Sequence, residues 1–202
     1  MTEHLPILIV LAPLLGAVFA ALTSWFWPRV SFPIVLAGLA ISCISSLLLV
    51  FEVPASGVIH YQLGGWGKQK EYADMVVGIQ ISVDYLNGLI LAAVTTIALL
   101  TAIYSRPTVE RELEGQQRYF YALFSLLVAG LLGITITGDI FYLYVFMEIA
   151  ALSSYALIAY GKKRAYMASF NYLIMGTMGA CLYLLGVGFV FVKTCLLYTS
   201  DA

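Results

Sequence analysis

The sequence predicts an all-α membrane protein of about six transmembrane helices, with a small extracellular β-hairpin between the second and third. Three observations carry that expectation. First, 62% of the residues are hydrophobic and 10% charged, with a mean hydropathy of +0.95, far from the roughly 25% charge of soluble domains. Second, the apolar residues fall in repeated runs, each near the roughly 20 residues that span a bilayer as a helix. Third, residues 52–83 form one long polar interruption, and inside it the pattern changes to period two. A net charge of −1, with ten Lys and Arg dispersed over loops, excludes a nucleic-acid partner, which would need those cations clustered against phosphate.

The apolar runs place spans at about 5–27, 32–51, 84–104, 118–136, 140–160 and 168–192. The N-terminal stretch MTEHLPILIVLAPLLGAVFAAL lacks the basic n-region of a signal peptide, and its apolar run continues to about Trp27, so it reads as a retained first helix. Pro28 and Pro33 bracket the first turn, Arg106 and Pro107 are expected to end the third span, and Gly138 separates the fourth from the fifth. Gly186 and Gly188 would soften the end of the sixth. VIHYQLGGW and VGIQISVDY both alternate polar and apolar residues, which predicts the hairpin.

Arg29, Arg106, Arg111, Arg118, Lys162, Lys163 and Arg164 fall in alternate loops, while Lys68 and Lys70 lie on the other side. The positive-inside rule makes the first group cytoplasmic and turns the N-terminus outward across an inner (cell) membrane. Cys43 and Cys181 fall within predicted helices at no metal-ligand spacing and read as small buried hydrophobes. His60 and His4 are the two histidines, and His60 reads as a surface or structural imidazole on the hairpin. Ala129 with Gly133, and Gly176 with Ala180, are small-residue pairs four apart that allow close helix contact in lipid.

Glu148 is the exception to this apolar economy. It is the one ionisable residue in the middle of a run long enough to cross a bilayer, where a charge costs roughly 2.5–3.5 kcal/mol and usually marks an ion or proton path. Burial raises the pKa of a carboxyl and a nearby cation lowers it, so a carboxyl poised between the two influences can load and release a proton. On its own helix the neighbours three and four positions away are Tyr144, Val145, Ala151 and Leu152, none of them cationic. Ser125, Thr135, Asn171 and Thr177 are the polar candidates on flanking spans. Asp84 and Asp139 open the third and fifth spans as expected N-caps; Asp139, nine residues before Glu148, is also positioned to admit protons as an outer relay. A protonated Glu148 that simply hydrogen-bonds between helices is the structural alternative.

Four segments carry a resemblance: GGW at Gly64–Trp66, GIQISVDYLNG ending at Gly88, TGDIFYLYVFMEIAALSSYALIAYG around Glu148, and SFNYLIMGTMGACLYLLGVG in the sixth span. Together they resemble the proton-translocating subunits shared by Mrp-type multisubunit Na+/H+ antiporters and respiratory complex I, with the D-type component of the antiporters as the nearer likeness. The resemblance covers nearly all of residues 1–194. It implies a parent bundle of about fourteen helices with inverted repeats, in which the essential carboxylate of the fifth helix matches Glu148. Its Lys partner on a broken seventh helix would lie beyond residue 194. Many relatives carry Lys or Arg where this chain has Asn171, so Asn171 is expected to order water instead, as is Thr135. No bound cofactor is implied, because the electron carriers of complex I sit in other subunits. The implied partners are other membrane subunits, H+, Na+ in the antiporter case, and the lipid bilayer. A non-transporting structural membrane subunit is the alternative of another class.

The expected organisation is residues 1–136 as helices 1–4 with the outer loop 52–83, residues 137–194 as the start of the antiporter domain, and residues 195–202 apart from both. The tail CLLYTSDA matches the in-frame translation of TGT CTC TTA TAC ACA TCT GAC GCT, a transposase-adapter end used in sequencing libraries. Residues 195–202 are therefore expected to be adapter read-through and the chain an N-terminal fragment.

Overall fold

The computed structural model describes residues 5–25, 30–56, 59–62, 80–113, 115–161 and 164–194. The expected loop glycines at Gly64 and Gly65, Arg29, Lys162 and Lys163, and the tail 195–202 lie outside them. The described elements are α1 (Leu5–Thr23), α2 (Ser31–Ser56), β1 (Ile59–Gln62), β2 (Gln80–Val83), α3 (Tyr85–Glu112), α4 (Gln117–Ile136), α5 (Ile140–Ala159) and α6 (Ala165–Thr194). All six helices are long and apolar enough to cross a membrane, and the chain is a multi-pass membrane protein.

Helices α1 to α4 form the packed part of the molecule: α1 lies between α2 and α4, and α3 packs on α2 and α4. Proline sits inside α1 at Pro13, and its missing N–H deprives the Ile9 carbonyl of its usual donor. The Ser42 hydroxyl of α2 replaces it, donating to Ile9 O at 2.7 Å. Ser125 of α4 donates in turn to the Pro13 carbonyl at 2.7 Å, so the proline turn is tied to both neighbouring helices. At the α1–α2 crossing the backbones nearly touch, for a Cβ on Gly38 would lie 2.9 Å from Ala12 O. Ser46 and Thr95 share a buried hydrogen bond of 2.7 Å between α2 and α3, and the Cys43 thiol lies 3.7 Å from Thr96 Oγ1. Each of these hydroxyls has a partner, as burial in a water-free interior demands.

Three boundaries differ from the expectation. α1 ends at Thr23 rather than near Trp27; Thr23 and Ser24 turn their hydroxyls back onto the Phe19 and Ala21 carbonyls, and Arg118 of α4 donates to Ser24 O at 3.1 Å. Pro107 does not end α3, which continues to Glu112. The carbonyl that Pro107 leaves free belongs to exposed Ile103, at a helix end where solvent can serve it, and the extra turns are held by an Arg106–Glu110 pair at 2.9 Å and by Arg106 resting 4.8 Å over the Phe32 ring. Gly186 and Gly188 do not soften α6, which runs unbroken to Thr194, because an α-helix tolerates glycine at a cost of about 1 kcal/mol when nothing competes for its backbone.

The turn from α3 to α4 uses Gly115 at φ +81°, a left-handed conformation that other residues adopt at a cost. β1 and β2 pair antiparallel, with Ile59 opposite Val83 and Gln62 opposite Gln80. Ile81 also bridges to Thr137 in the short link between α4 and α5, and the Ile81 and Val83 side chains enter the core with Ile136 and Leu132. The strand pair therefore anchors the end of the bundle at which α5 begins.

Candidate functional site

The fifth helix starts on a formed cap. Asp139 is 4% exposed, and its carboxylate accepts the Phe141 N–H at 2.7 Å; Asp84 caps α3 in the same way, accepting from Asn87 N at 2.7 Å. α5 then leans on α4 through glycine. Gly133 admits the Phe146 ring, and Gly130 admits Ala150 so closely that a Cβ there would lie 2.8 Å from Ala150 N. Ala129 beside them is buried.

On the other side α5 meets α6 through aromatic pairs. Tyr144 stacks with Tyr183 at 6.1 Å and 9°, and Tyr155 meets Tyr172 edge-on at 4.7 Å. Ser169 of α6 donates to Tyr155 O at 2.7 Å, and Gly176 makes room for the Tyr155 hydroxyl. Tyr183 reaches back along α5, its hydroxyl donating to Ile140 O at 3.1 Å.

Glu148 lies on this second face. At about 100° per residue it shares a stripe with Tyr144 and Tyr155 and points away from the Phe146 and Ala150 contacts with α4. It is half-buried, within electrostatic reach of the Tyr155 phenol, and has no hydrogen bond or cation among the described residues. The two tyrosine pairs fix an antiparallel register that sets Glu148 opposite Gly176, Gly179 and Ala180. A Cβ on Gly179 would meet nothing within 4 Å, and Gly179 is exposed.

The remaining expected site residues are dispersed. Asp139 stands about 13 Å down the helix axis from Glu148, and between their levels the Tyr183 ring stacks on Tyr144, one turn from Glu148. Thr135 belongs to α4, behind α5, and its hydroxyl is used on Leu132 O at 2.7 Å. Asn171 is exposed and pairs in level with about Ala156, some 12 Å along the axis from Glu148. Ser125 serves Pro13, and Thr177 bonds its own helix. Among the described residues, none of these is joined to Glu148 by a hydrogen bond.

The tyrosines are functional candidates that the sequence pattern alone did not single out. A signal existed: Tyr144 and Tyr155 are eleven residues apart, as are Tyr172 and Tyr183, and eleven residues are three helical turns. Equal spacing on two consecutive antiparallel helices brings both pairs together at once, with Glu148 between them. Among the described residues, no group of His, Cys, Asp and Glu could hold a metal ion.

No family model matches the chain. It is 38% identical to the N-type component of the NADH-quinone oxidoreductase of Desulforudis audaxviator, over all of this chain and 39% of that protein. It is 31% identical to the D-type component of the Na+/H+ antiporter of Bacillus subtilis, over 82% of this chain and 32% of that protein. Among solved structures, a chain of the membrane-bound sulfane sulfur reductase, an archaeal respiratory membrane complex, superposes with a TM-score of 0.85 at 28% identity, over 96% of this chain and 38% of that one. The chain thus spans less than half the length of the relatives it matches. With the six-helix fold, the chain belongs to the family of membrane subunits that unites the N-type component of NADH-quinone oxidoreductase with the D-type component of Na+/H+ antiporters.

Proposed function

We propose that this chain forms the proton-loading part of a membrane subunit that translocates protons within a multisubunit complex, with Glu148 as the proton-binding carboxylate. The observation that carries the reading is the place of Glu148: mid-helix, on the α6 face of α5, level with Gly176, Gly179 and Ala180, with no donor or cation among the described residues. A carboxyl left so in a bilayer is expensive unless its protonation is used. The small residues at that level leave room for water or for a cation from elsewhere in the complex, either of which would set the balance between burial and charge that loading requires.

Asp139 is the outer relay in this reading, passing protons along the Tyr183 and Tyr144 seam. Asn171 and Thr135 would order water only at a distance, on the faces where they stand. Residues 137–194 open the transporting domain and residues 1–136 brace it. The strand pair lies outside the membrane with the N-terminus, as the cation distribution requires. The parent is a bundle of about fourteen helices built from inverted repeats, assembled with other membrane subunits. Identity of 38% to an oxidoreductase component, against 31% to an antiporter component, favours a redox-driven complex over a cation/proton antiporter; sodium-dependent exchange in vesicles would reverse that order.

In the complete complex, Glu148→Gln keeps size and hydrogen bonding and removes the titration. It is expected to abolish proton transport in vesicles while the complex still assembles. Transport at the wild-type rate would overturn the assignment of Glu148.

A further inference from the structure

Around the ends of α1, α4 and α5, small residues leave two apolar clefts. One, of about 400 Å³, runs along Ala17 and Ala21 of α1 and Ala122 of α4. The other, of about 240 Å³, runs beside Ala156 and Ala159 of α5 toward Tyr166 of α6. They are adjacent, and the ridge between them is Leu123 with Tyr160, which line both. A partner helix is about 10–12 Å across and needs one wide groove; two narrow troughs either side of a ridge suit two thin chains.

The clefts open at the basic end of the bundle. Arg118 lies there across the gap between α1 and α4: Nη1 donates to Ser24 O at 3.1 Å, Nη2 to Tyr119 Oη at 3.0 Å, and the guanidinium rests 4.7 Å over the Tyr119 ring. Those two bonds use two of its five N–H donors, and its buried Nε has no partner. Tyr119 itself lines the larger cleft. The N-terminus of α4 adds to the positive potential, because the Gln116 side chain does not cap it and the first-turn N–H groups carry the positive end of the helix dipole. Arg111 and Arg164 are exposed at the same end.

We infer that this is a binding site for one anionic diacyl phospholipid, with an acyl chain in each cleft and the phosphate held at Arg118 and the start of α4. Charge selects the headgroup and the paired troughs select a two-chain lipid. The cleft residues of α5 stand about 12 Å or more along the helix axis from Glu148, and lipid retention is read without proton transport, so the site stands or falls independently of the proton reading.

The test is native mass spectrometry of the complete complex titrated with phosphatidylglycerol or phosphatidylcholine of the same chains. Wild type should keep one more phosphatidylglycerol per copy of this subunit than Arg118→Gln or Ala122→Leu does, with affinity falling about tenfold in Arg118→Gln, the equivalent of one charge-assisted hydrogen bond, and falling also in Ala122→Leu through the filled cleft. Ala122→Leu fills the larger cleft without touching the Arg118 bonds, so it separates lipid loss from misfolding. Excess inorganic phosphate should not displace the lipid. Equal retention in all three proteins, equal retention of phosphatidylcholine, or displacement by phosphate alone would overturn the site, as would a neighbouring subunit's helix found in the clefts.

Discussion

Gly130→Ala is the sharpest test of how Glu148 is positioned. The added Cβ would stand 2.8 Å from Ala150 N and 2.9 Å from Ala150 Cβ. Neither atom can rotate aside, since one is backbone and the other is fixed to it. Restoring an ordinary contact of at least 3.4 Å requires α4 and α5 to part by roughly 0.6 Å, or to twist by as much, across a seam that Gly133 and Phe146 share. Overpacking of this kind costs about 1–3 kcal/mol. Gly133→Ala meets the Phe146 side chain instead, at Cγ as well as at the ring edge, so the whole side chain must give way. The assay is chemical or thermal unfolding of the purified protein in one detergent, comparing both alanines, Phe146→Ala and the Gly133→Ala/Phe146→Ala double variant. Both glycine changes should destabilise, and the double variant should lose less than the sum of its two single changes. A silent Gly130→Ala, or additive losses in the double variant, would refute this packing of α5.

Two further outcomes follow from hydrogen bonds. Ser42→Ala leaves the Ile9 carbonyl, already deprived by Pro13, without its replacement donor; the expected loss is about 1–3 kcal/mol in the same unfolding assay, whereas Ser154→Ala, whose hydroxyl only bonds its own helix, should be near neutral. Tyr183→Phe keeps the stack on Tyr144 and removes the hydroxyl from Ile140 O; it should slow proton flux in vesicles of the complete complex with a stability loss of only about 0.5–1.5 kcal/mol, and unchanged flux would remove Tyr183 from the proposed route.

Six helices were legible because a bilayer imposes length and polarity on each one separately, so the sequence need not say which helix touches which. Boundaries were less legible where the deciding partner is distant in the chain: Pro107 looks like a stop until Phe32 and Glu110 are placed around Arg106. The same holds for small residues. Ala129, Gly133, Gly176 and Ala180 advertised close contact by their spacing, but Gly130, whose contact with the α5 backbone is the least forgiving, belongs to neither of those pairs. Glu148 and Asp139 were legible as costs, a charge in the wrong solvent and a cap at a helix start. The tyrosine pairs beside them were not, because they depend on the α5–α6 register.

The polar groups divide the molecule in a way that composition does not show. Between α1, α2, α3 and α4, serine and threonine hydroxyls go to carbonyls or to each other, and these hydroxyls have little left to offer a passing ion. Across α5 the chemistry changes: one face packs Phe146 and Ala150 closely against the glycines of α4, and the other carries tyrosines and a carboxyl with no hydrogen-bond partner among the described residues. A seam of paired hydroxyls resists rearrangement, since every bond broken there strands a buried group. It can therefore hold α1 to α4 in one arrangement behind α5. The glycines at 130 and 133 join α5 to that block, pinning the helix from behind at the level of Glu148.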